Sequence, residues 1–363
     1  MPVLEAENIP DLIASTQKDL GRMKLTDISR DKNKYIAFNQ IMSASRTQAE
    51  SGYAIQINLL TRRSDNARFK GLYQTDPNVA QDNAQTTGDV PWRFSDFYWA
   101  WDENEIAINE GEARIQDYVR LKRYRALLGW AEFIEDWFWG VPPNTSDKKT
   151  PYNLRYWIQK DVTTAGIGDS VAGSGSFSGN VPTGADSVAH TDVGGINPST
   201  YPNWKNYTYK YTNVTDADLI TRMRKMTRRI MFTPPMGVSY PEHAGPPSHA
   251  HYVPEEILNA MELLAETRND NLGYDFAAKG PTYARAPLIW APPLDDDADD
   301  PIYTLDWGAY RTVYFKGGWM KETPAFRSAT QHQVWLNYVN SRFNGIVYDR
   351  RRLAVGSRAA ANA

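Results

Sequence analysis

The chain has 363 residues, with 40 Lys and Arg against 43 Asp and Glu, so its formal net charge is −3. Hydrophobic residues make up 41% and aromatics 12%, too apolar for a disordered chain and too balanced in charge for a polybasic nucleic-acid binder. Cysteine is absent, which excludes a disulfide scaffold, thiol catalysis, thiolate-bound zinc and iron–sulfur clusters.

No run approaches the roughly 18 apolar residues of a membrane span; the longest, Ala286 to Leu294, contains three prolines. Met1 to Leu20 lacks the basic and then apolar pattern of a signal peptide. Three Asn-x-Ser/Thr sequons, at Asn144, Asn206 and Asn213, therefore read as chance occurrences in a chain made in a cytoplasm.

Residues 1–48 are polar with weak helical spacing (Ile13, Leu20, Met23; Tyr35, Phe38, Ile41) and read as an arm lying on something else. Tyr53, Ile55, Ile57 and Leu59 alternate with smaller or polar residues, which is strand spacing. Arg68–Tyr73 is a second strand candidate, and Thr75–Asp89, rich in Asp, Asn, Gln, Thr and Gly, an open loop. Pro91–Asp102 returns to strand with Trp92, Phe94, Phe97, Tyr98, Trp99 and Trp101. The two outer runs predict a long hairpin too thin to bury a core of its own.

Residues 110–139 carry the strongest helical pattern, from Ile115 through Leu121 and Leu128 to Trp137 and Phe138, closed by Gly140 and Pro142-Pro143. Thirty helical residues would span about 45 Å. Residues 151–162 read as a strand, and Ala165–Gly195, dominated by Gly, Ser, Ala and Asp, as a surface excursion. Thr215–Phe232 reads as a helix with Thr215 as N-cap, and a second helix opens at Pro254 with Glu255 and Glu256. Strand candidates follow at Leu288–Ala291, Ile302–Asp306, Tyr310–Lys316, Gln333–Val339 and Gly345–Tyr348. The class is α+β, with helices and strands in separate runs.

Each candidate for chemistry has a plainer alternative. His249 and His251, at i and i+2, share a strand face and could hold a metal, or be ordinary loop histidines. Asp295, Asp296, Asp297, Asp299 and Asp300 offer oxygen ligands for calcium but lack the glycine and terminal glutamate of an EF-hand loop, so a solvated acidic loop is the alternative. Arg222, Arg224, Lys225, Arg228 and Arg229 form a basic helix that suits phosphates, solvent or a subunit contact. Glu132, Glu135 and Asp136 could pair as acid and base in a glycosidase, or decorate the wet face of the long helix. No Walker loop, dinucleotide-binding glycine motif, G-x-S-x-G or H-E-x-x-H is present. The sequence assigns no catalytic, cofactor-binding or metal residue and does not support an enzyme.

The order of features resembles the major capsid proteins of tailed bacteriophages with the Hong Kong ninety-seven fold. Three stretches carry the resemblance. One is Trp92 to Trp139, with Asn109-Glu110-Gly111-Glu112 leading into the helix. Another is Gly194-Gly195-Ile196 through Trp204-Lys205-Asn206, similar to a Gly-Gly-Ile…Trp-Arg-Asn signature, with Lys205 where that signature has arginine. The third runs from Asp306-Trp307 through Met320-Lys321-Glu322-Thr323-Pro324 to Gln331–Val334 and Tyr348-Asp349-Arg350-Arg351-Arg352.

The resemblance implies an N-terminal arm (1–48) and an extended loop (49–108) overlapping a neighbouring subunit. It further implies a peripheral domain (109–212) around a spine helix at 110–139, an axial domain (213–307), and a return to the peripheral domain with a C-terminal tail (308–363). It also implies a virion coat, assembled in the host bacterial cytoplasm from hexamers and pentamers around double-stranded DNA bound without sequence specificity. Its partners would be further copies of the chain, a separate scaffolding protein, a portal protein and a decoration protein; no membrane and no cofactor are implied. Lys70 and the Asn66 region lie where some relatives cross-link covalently; non-covalent contacts are the expectation. The rival readings are an encapsulin-like compartment for cargo enzymes and an aromatic-rich glycan-binding protein or glycosidase.

Overall fold

The structure, a computed structural model, describes residues 30, 32–43, 46–50, 52–62, 67–74, 84–108, 112–160, 175–232, 248–266 and 281–358. The N-terminal elements are α1 (Ile36–Met42), β1 (Arg46–Ala49), β2 (Ala54–Leu60), β3 (Gln85–Pro91) and β4 (Arg93–Asp102). The helices α2 (Glu103–Ile108), α3 (Glu112–Trp139) and α4 (Leu154–Trp157) follow. Then come β5 (Ser176–Gly179), β6 (Asn206–Tyr211), α5 (Thr221–Ile230), β7 (His249–Val253), α6 (Glu255–Glu266), β8 (Thr282–Tyr283) and β9 (Ala286–Trp290). The last are β10 (Ile302–Asp306), β11 (Tyr310–Phe315), β12 (Lys321–Glu322), β13 (Phe326–Arg327), β14 (Val334–Val347) and β15 (Ala354–Arg358). The class is α+β, as the separate helix and strand runs require.

Three sheets organise these elements. The six-stranded sheet is built on β14, whose 14 residues pair with β4 on one side and with β13, β12 and β11 in turn on the other; β1 adds parallel to β11. The seven-stranded sheet has the order β5-β6-β15-β10-β7-β9-β8. A separate ribbon pairs β2 with β3, in register from Ala54 opposite Pro91 to Leu60 opposite Gln85.

The seven-stranded sheet is covered on both faces, so β6, β7 and β10 read as buried throughout or nearly so. On one face Met223, Met226 and Ile230 of α5 and Ile257 and Met261 of α6 pack over Tyr207, Tyr209, Leu288 and Ile302. On the other, Tyr252, Tyr303 and Leu305 join a larger core with Trp130, Ile134, Phe138 and Trp139 of α3 and Phe343 and Val347 of β14.

Most of the tryptophans flagged in the sequence are packing residues of this larger core. Phe97 stacks on Trp130 at 5.3 Å between ring centres, and Phe138 on Trp307 at 5.9 Å.

Arg350 sits at the turn between β14 and β15 and anchors it to α4, β6 and the loops before β6. Its guanidinium is fully buried and donates to the carbonyls of Trp157 (2.9 Å), Trp204 (2.7 Å) and Asn180 (2.9 Å) and to Oδ1 of Asn206 (3.1 Å). No carboxylate is among these acceptors, and burial pushes the group down to about 9. Asn206, one of the sequons, is itself fully buried, so the folded chain cannot carry a glycan there.

The structure corrects several sequence expectations. Residues 68–73 form no strand; a turn sits at Leu72–Tyr73. The partner of β2 is β3, inside the stretch read as open loop, and not Pro91–Asp102. The alternation of β3 is carried by Thr86, Gly88 and Val90, of which Val90 alone is strongly apolar. Gly88 is buried because its α-carbon abuts the Gly194 carbonyl, where a Cβ would clash.

The described part of the 151–162 stretch, residues 151–160, holds a short helix, Leu154–Trp157, instead of a strand. Asn153 caps it, its side chain accepting from the Tyr156 N–H at 3.0 Å and donating to the Gly140 and Val141 carbonyls. Within 165–195, the described part is only partly a surface excursion: residues 185–189 are exposed, but Ser176, Ser178 and Val193 are buried, and β5 is the edge of the large sheet.

The 215–232 helix opens with a π turn, Asp216–Ile220, and Thr215 makes no side-chain cap bond. Asp218 serves that end instead, accepting from the Thr212 and Asn213 N–H groups, which together with Arg222 hold its carboxyl below the usual range despite partial burial. The last two strand candidates are one strand, β14, whose polar middle survives burial because Asn344 is satisfied, accepting from the Tyr152 N–H at 2.7 Å and donating to the Pro91 carbonyl at 2.8 Å.

Candidate assembly surfaces

The β2–β3 ribbon sets the first surface. Its inner residues Ile55, Ile57 and Val90 are buried against the body, but the segments flanking it are not. Tyr53, Phe69, Leu72 and Tyr73 have their side chains essentially fully exposed, from 92% to 103% of the free value, and Leu60 is 74% exposed. Single exposed apolar residues are ordinary; five within two dozen residues, on and beside a thin two-stranded element, are not, and they make a candidate interaction surface.

The second surface is the outer face of the β4–β14 pair. Strand alternation sends Phe97 and Trp99 inward and Phe94 and Tyr98 outward. Opposite them, Tyr338 sits 5.6 Å from Tyr98 and stacks on Phe326 at 5.8 Å, while the Arg342 guanidinium lies 5.6 Å over Phe94 and 6.0 Å over Phe315. Phe94, Tyr98 and Phe326 stay exposed. A groove lined by Thr47, Tyr53, Ile55, Trp92, Ile346 and Tyr348, about 480 Å³, separates the ribbon base from this sheet.

The third surface is a clasp that holds residues 30–43 along α3. Glu135 is completely buried; its carboxylate accepts from the N–H groups of Ile36 and Ala37 (3.2 Å each) and Phe38 (2.9 Å), and from Trp139 Nε1 (2.8 Å). It thus caps the N-terminus of α1 from a different helix, where orphan donors and helix dipole both favour an anion. Glu132 accepts from the Tyr35 hydroxyl at 2.9 Å, Asp136 pairs with Lys32, and Arg30 donates to the Tyr124 hydroxyl at 2.9 Å. Phe38 meets Trp130 edge-on at 5.6 Å. The three carboxylates weighed as an acid–base set are thus anchors for the arm, and Glu135 is not on the wet face.

The other sequence candidates separate in the same way. His249 and His251 do share one face of β7, but both are buried and no third ligand joins them. Among the described residues no cluster of three His, Asp or Glu could hold a metal. His251 Nδ1 bonds with Thr304 Oγ1 at 2.8 Å, and desolvation with the neighbouring His249 pushes its pKa down to about 4. His249 is lowered by burial beside the fully buried Asp306–Arg352 ion pair (2.5 Å).

The acidic run is neither a calcium loop nor merely solvated. Asp297 pairs with Arg155 and with Lys160 (2.7 Å), Asp300 with Arg358 (2.8 Å), and Asp295 accepts from the Glu255 N–H (2.8 Å) and Trp290 Nε1 (2.9 Å). Those cations hold the Asp297 carboxyl below its usual range. In α5, Met223, Met226 and Ile230 face inward and Arg224, Arg228 and Arg229 outward. Lys70 is exposed in the loop, while Asn66 lies outside the described residues.

Sequence reasoning misassigned Glu135, naming it only as a candidate acid or base, and gave Arg350 no role of its own. A signal existed for Glu135: it falls between Ala131 and Trp139 at four-residue steps, on the stripe that is otherwise apolar. Nothing distinguishes Arg350 from Arg351 and Arg352 in sequence; only the sheet junction does.

No family model matches the chain, and no curated protein sequence matches it. Among solved structures, the chain superposes on the Cyanophage A-1(L) capsid asymmetric unit with a TM-score of 0.54 at 14% identity, covering 94% of this chain and 97% of that one. The Cyanophage Pam1 capsid asymmetric unit gives 0.52 at 12% identity with 100% of both chains covered. The capsid of a native GTA particle gives 0.51 at 14% identity, covering 96% and 99%. The chain has a phage capsid fold. The likeness runs over nearly the whole of both chains, and the resemblance read from the sequence holds at the level of the fold.

Proposed function

We propose that this protein is the major capsid protein of a tailed bacteriophage, a structural protein and not an enzyme, resident in the virion shell and assembled in the bacterial cytoplasm. Its copies would form hexamers and pentamers that close into an icosahedral head around double-stranded DNA. The observation that carries this reading is the ribbon with its exposed Tyr53, Phe69, Leu72 and Tyr73, on a fold shared with capsid chains. An isolated two-stranded ribbon is marginal in water, so apolar side chains around it gain from burial in a neighbour, as in obligate oligomers.

The parts take their roles accordingly: 1–48 as arm, 49–108 as the loop that overlaps a neighbour, 109–212 with 308–363 as peripheral domain around α3, and 213–307 as axial domain. A scaffolding protein, a portal and a decoration protein are the further partners expected of such a shell. The test is sedimentation velocity on the chain expressed alone and with a candidate scaffolding protein, followed by assay of nuclease-protected DNA in particles from infected cells. Rings or shells that protect DNA support the proposal. A monomer under every condition refutes it, and shells filled with a cargo enzyme would assign the compartment reading instead.

A further inference from the structure

The seven-stranded sheet separates its charges toward opposite ends of its strands. The pairing registers bring Tyr211, Val253, Trp290, Ile302 and Arg358 to one end. There α6 begins with Glu255 and Glu256, and the loop 295–300 adds five aspartates. Arg155, Lys160 and Arg358 engage Asp297, Asp299, Asp300 and Glu256. Glu255 and Asp296 stay exposed and, among the described residues, form no ion pair.

The opposite end carries cations. α5 runs toward it, since Phe232, just beyond its last residue, lies 6.2 Å from Phe177 and 4.5 Å beneath the Arg351 guanidinium. Arg224 and Arg228, one helical turn apart and exposed, flank Tyr283: both charges act on its phenol, and Arg224 also bonds to it. The β8–β9 turn beside them presents Arg285, exposed at φ 71° directly after Ala284 at φ 49°. Hairpin turns with two positive φ values favour Asn-Gly. An arginine held in that conformation is a strained choice of the kind found where a side chain is needed in place. Among the described residues, none of these three arginines forms an ion pair.

We infer that Arg224, Arg228 and Arg285 dock against Glu255, Asp296 and the 295–300 loop of a second copy of this chain. This deepens the assembly reading above and rests on it. A sheet whose exposed cations at one end and exposed carboxylates at the other have no ion-pair partner among the described residues satisfies both when the basic end of one copy meets the acidic end of another. Repeated head to tail, that contact is the heterologous geometry which closes into rings, as the proposed hexamers and pentamers require. Nucleic acid as the occupant would leave the acidic end unmatched, and the net charge of −3 gives the chain no overall attraction to a polyanion.

The experiment uses the full chain and three variants, with far-UV circular dichroism confirming each fold. The basic-end reversal is Arg224→Glu, Arg228→Glu and Arg285→Glu; the acidic-end reversal is Glu255→Lys and Asp296→Lys; the third variant combines them. Each single-end reversal is expected to raise the critical concentration for ring or shell formation at least about tenfold, the scale set by close interfacial charge pairs. The combined variant is expected to return it toward wild type, and added salt to weaken wild-type assembly. Should a reversal fail to fold, the Arg→Gln triple substitutes and should give a smaller rise.

Reversals that assemble like wild type overturn the inference, as does a combined variant that folds but stays unassembled. Shells that form normally with the basic-end reversal but retain less DNA would assign the patch to the packaged genome and overturn it too. If the wild-type chain never assembles, the underlying assembly reading falls instead, so the two failures are distinguishable.

Discussion

The junction around Arg350 and the ribbon around Phe69 are built on opposite terms. At the junction a cation is taken wholly out of water and the chain supplies it with acceptors from three separate segments. At the ribbon, aromatic and aliphatic side chains stand exposed, uncovered by any other of the described residues. The first region is finished by folding. On the proposed function the second is finished by association, and the contrast then divides this molecule into a body that stabilises itself and an extension that serves an assembly.

The comparison can be broken by mutation, and the largest effect belongs to the junction. Arg350→Ala would leave several buried carbonyls without donors at about 1–3 kcal/mol each, so a loss of about 3–5 kcal/mol is expected in urea unfolding, enough to deplete folded chain. Arg350→Lys should recover little of it, because an ammonium cannot reproduce the planar fork.

Next in size is the clasp. Glu135→Ala frees three backbone N–H groups and the Trp139 indole, with an expected cost of about 2–4 kcal/mol. It should also accelerate amide hydrogen exchange selectively at Ile36, Ala37 and Phe38. Exchange unchanged at those three amides would remove the clasp from the account.

Acid should act on the body and spare the ribbon. His251 has its folded pKa depressed to about 4 against an ordinary 6.5, so the unfolded chain binds more protons between those values. Stability is then complete above about pH 6.5 and is lost as pH falls toward 4, by up to about 3 kcal/mol. Urea midpoints at pH 7 and pH 4.5 measure this, and His251→Asn should show a shallower decline.

The smallest effect on folding is expected at the ribbon, where it sharpens the contrast most. Phe69→Asp with Tyr73→Asp should change monomer stability by no more than about 0.5 kcal/mol and yet abolish assembly in sedimentation velocity.

What the sequence made legible follows the same division. α3 was readable from its long apolar stripe, and β10 and β11 from short runs rich in β-branched and aromatic residues. The ribbon was half readable: β2 alternates in Ile55, Ile57 and Leu59, but β3 uses Gly88 as an inward residue, where close backbone approach replaces a side chain and leaves no apolar mark. The helix at Leu154–Trp157 was missed because Asn153 sets its start against a run that otherwise looks like strand. Of the candidate sites, the acidic run and the carboxylates of α3 were visible as residues but not as contacts. Their partners, Arg155 and Lys160 for one and the α1 amides for the other, are more than 90 positions away in sequence.

The most direct test is a reconstruction by cryo-electron microscopy of particles formed by the purified chain, at a resolution that shows side chains. The account predicts Phe69, Leu72 and Tyr73 buried across a subunit boundary against a neighbouring copy. Particles in which those side chains remain in solvent, or a chain that yields only monomers, would contradict it.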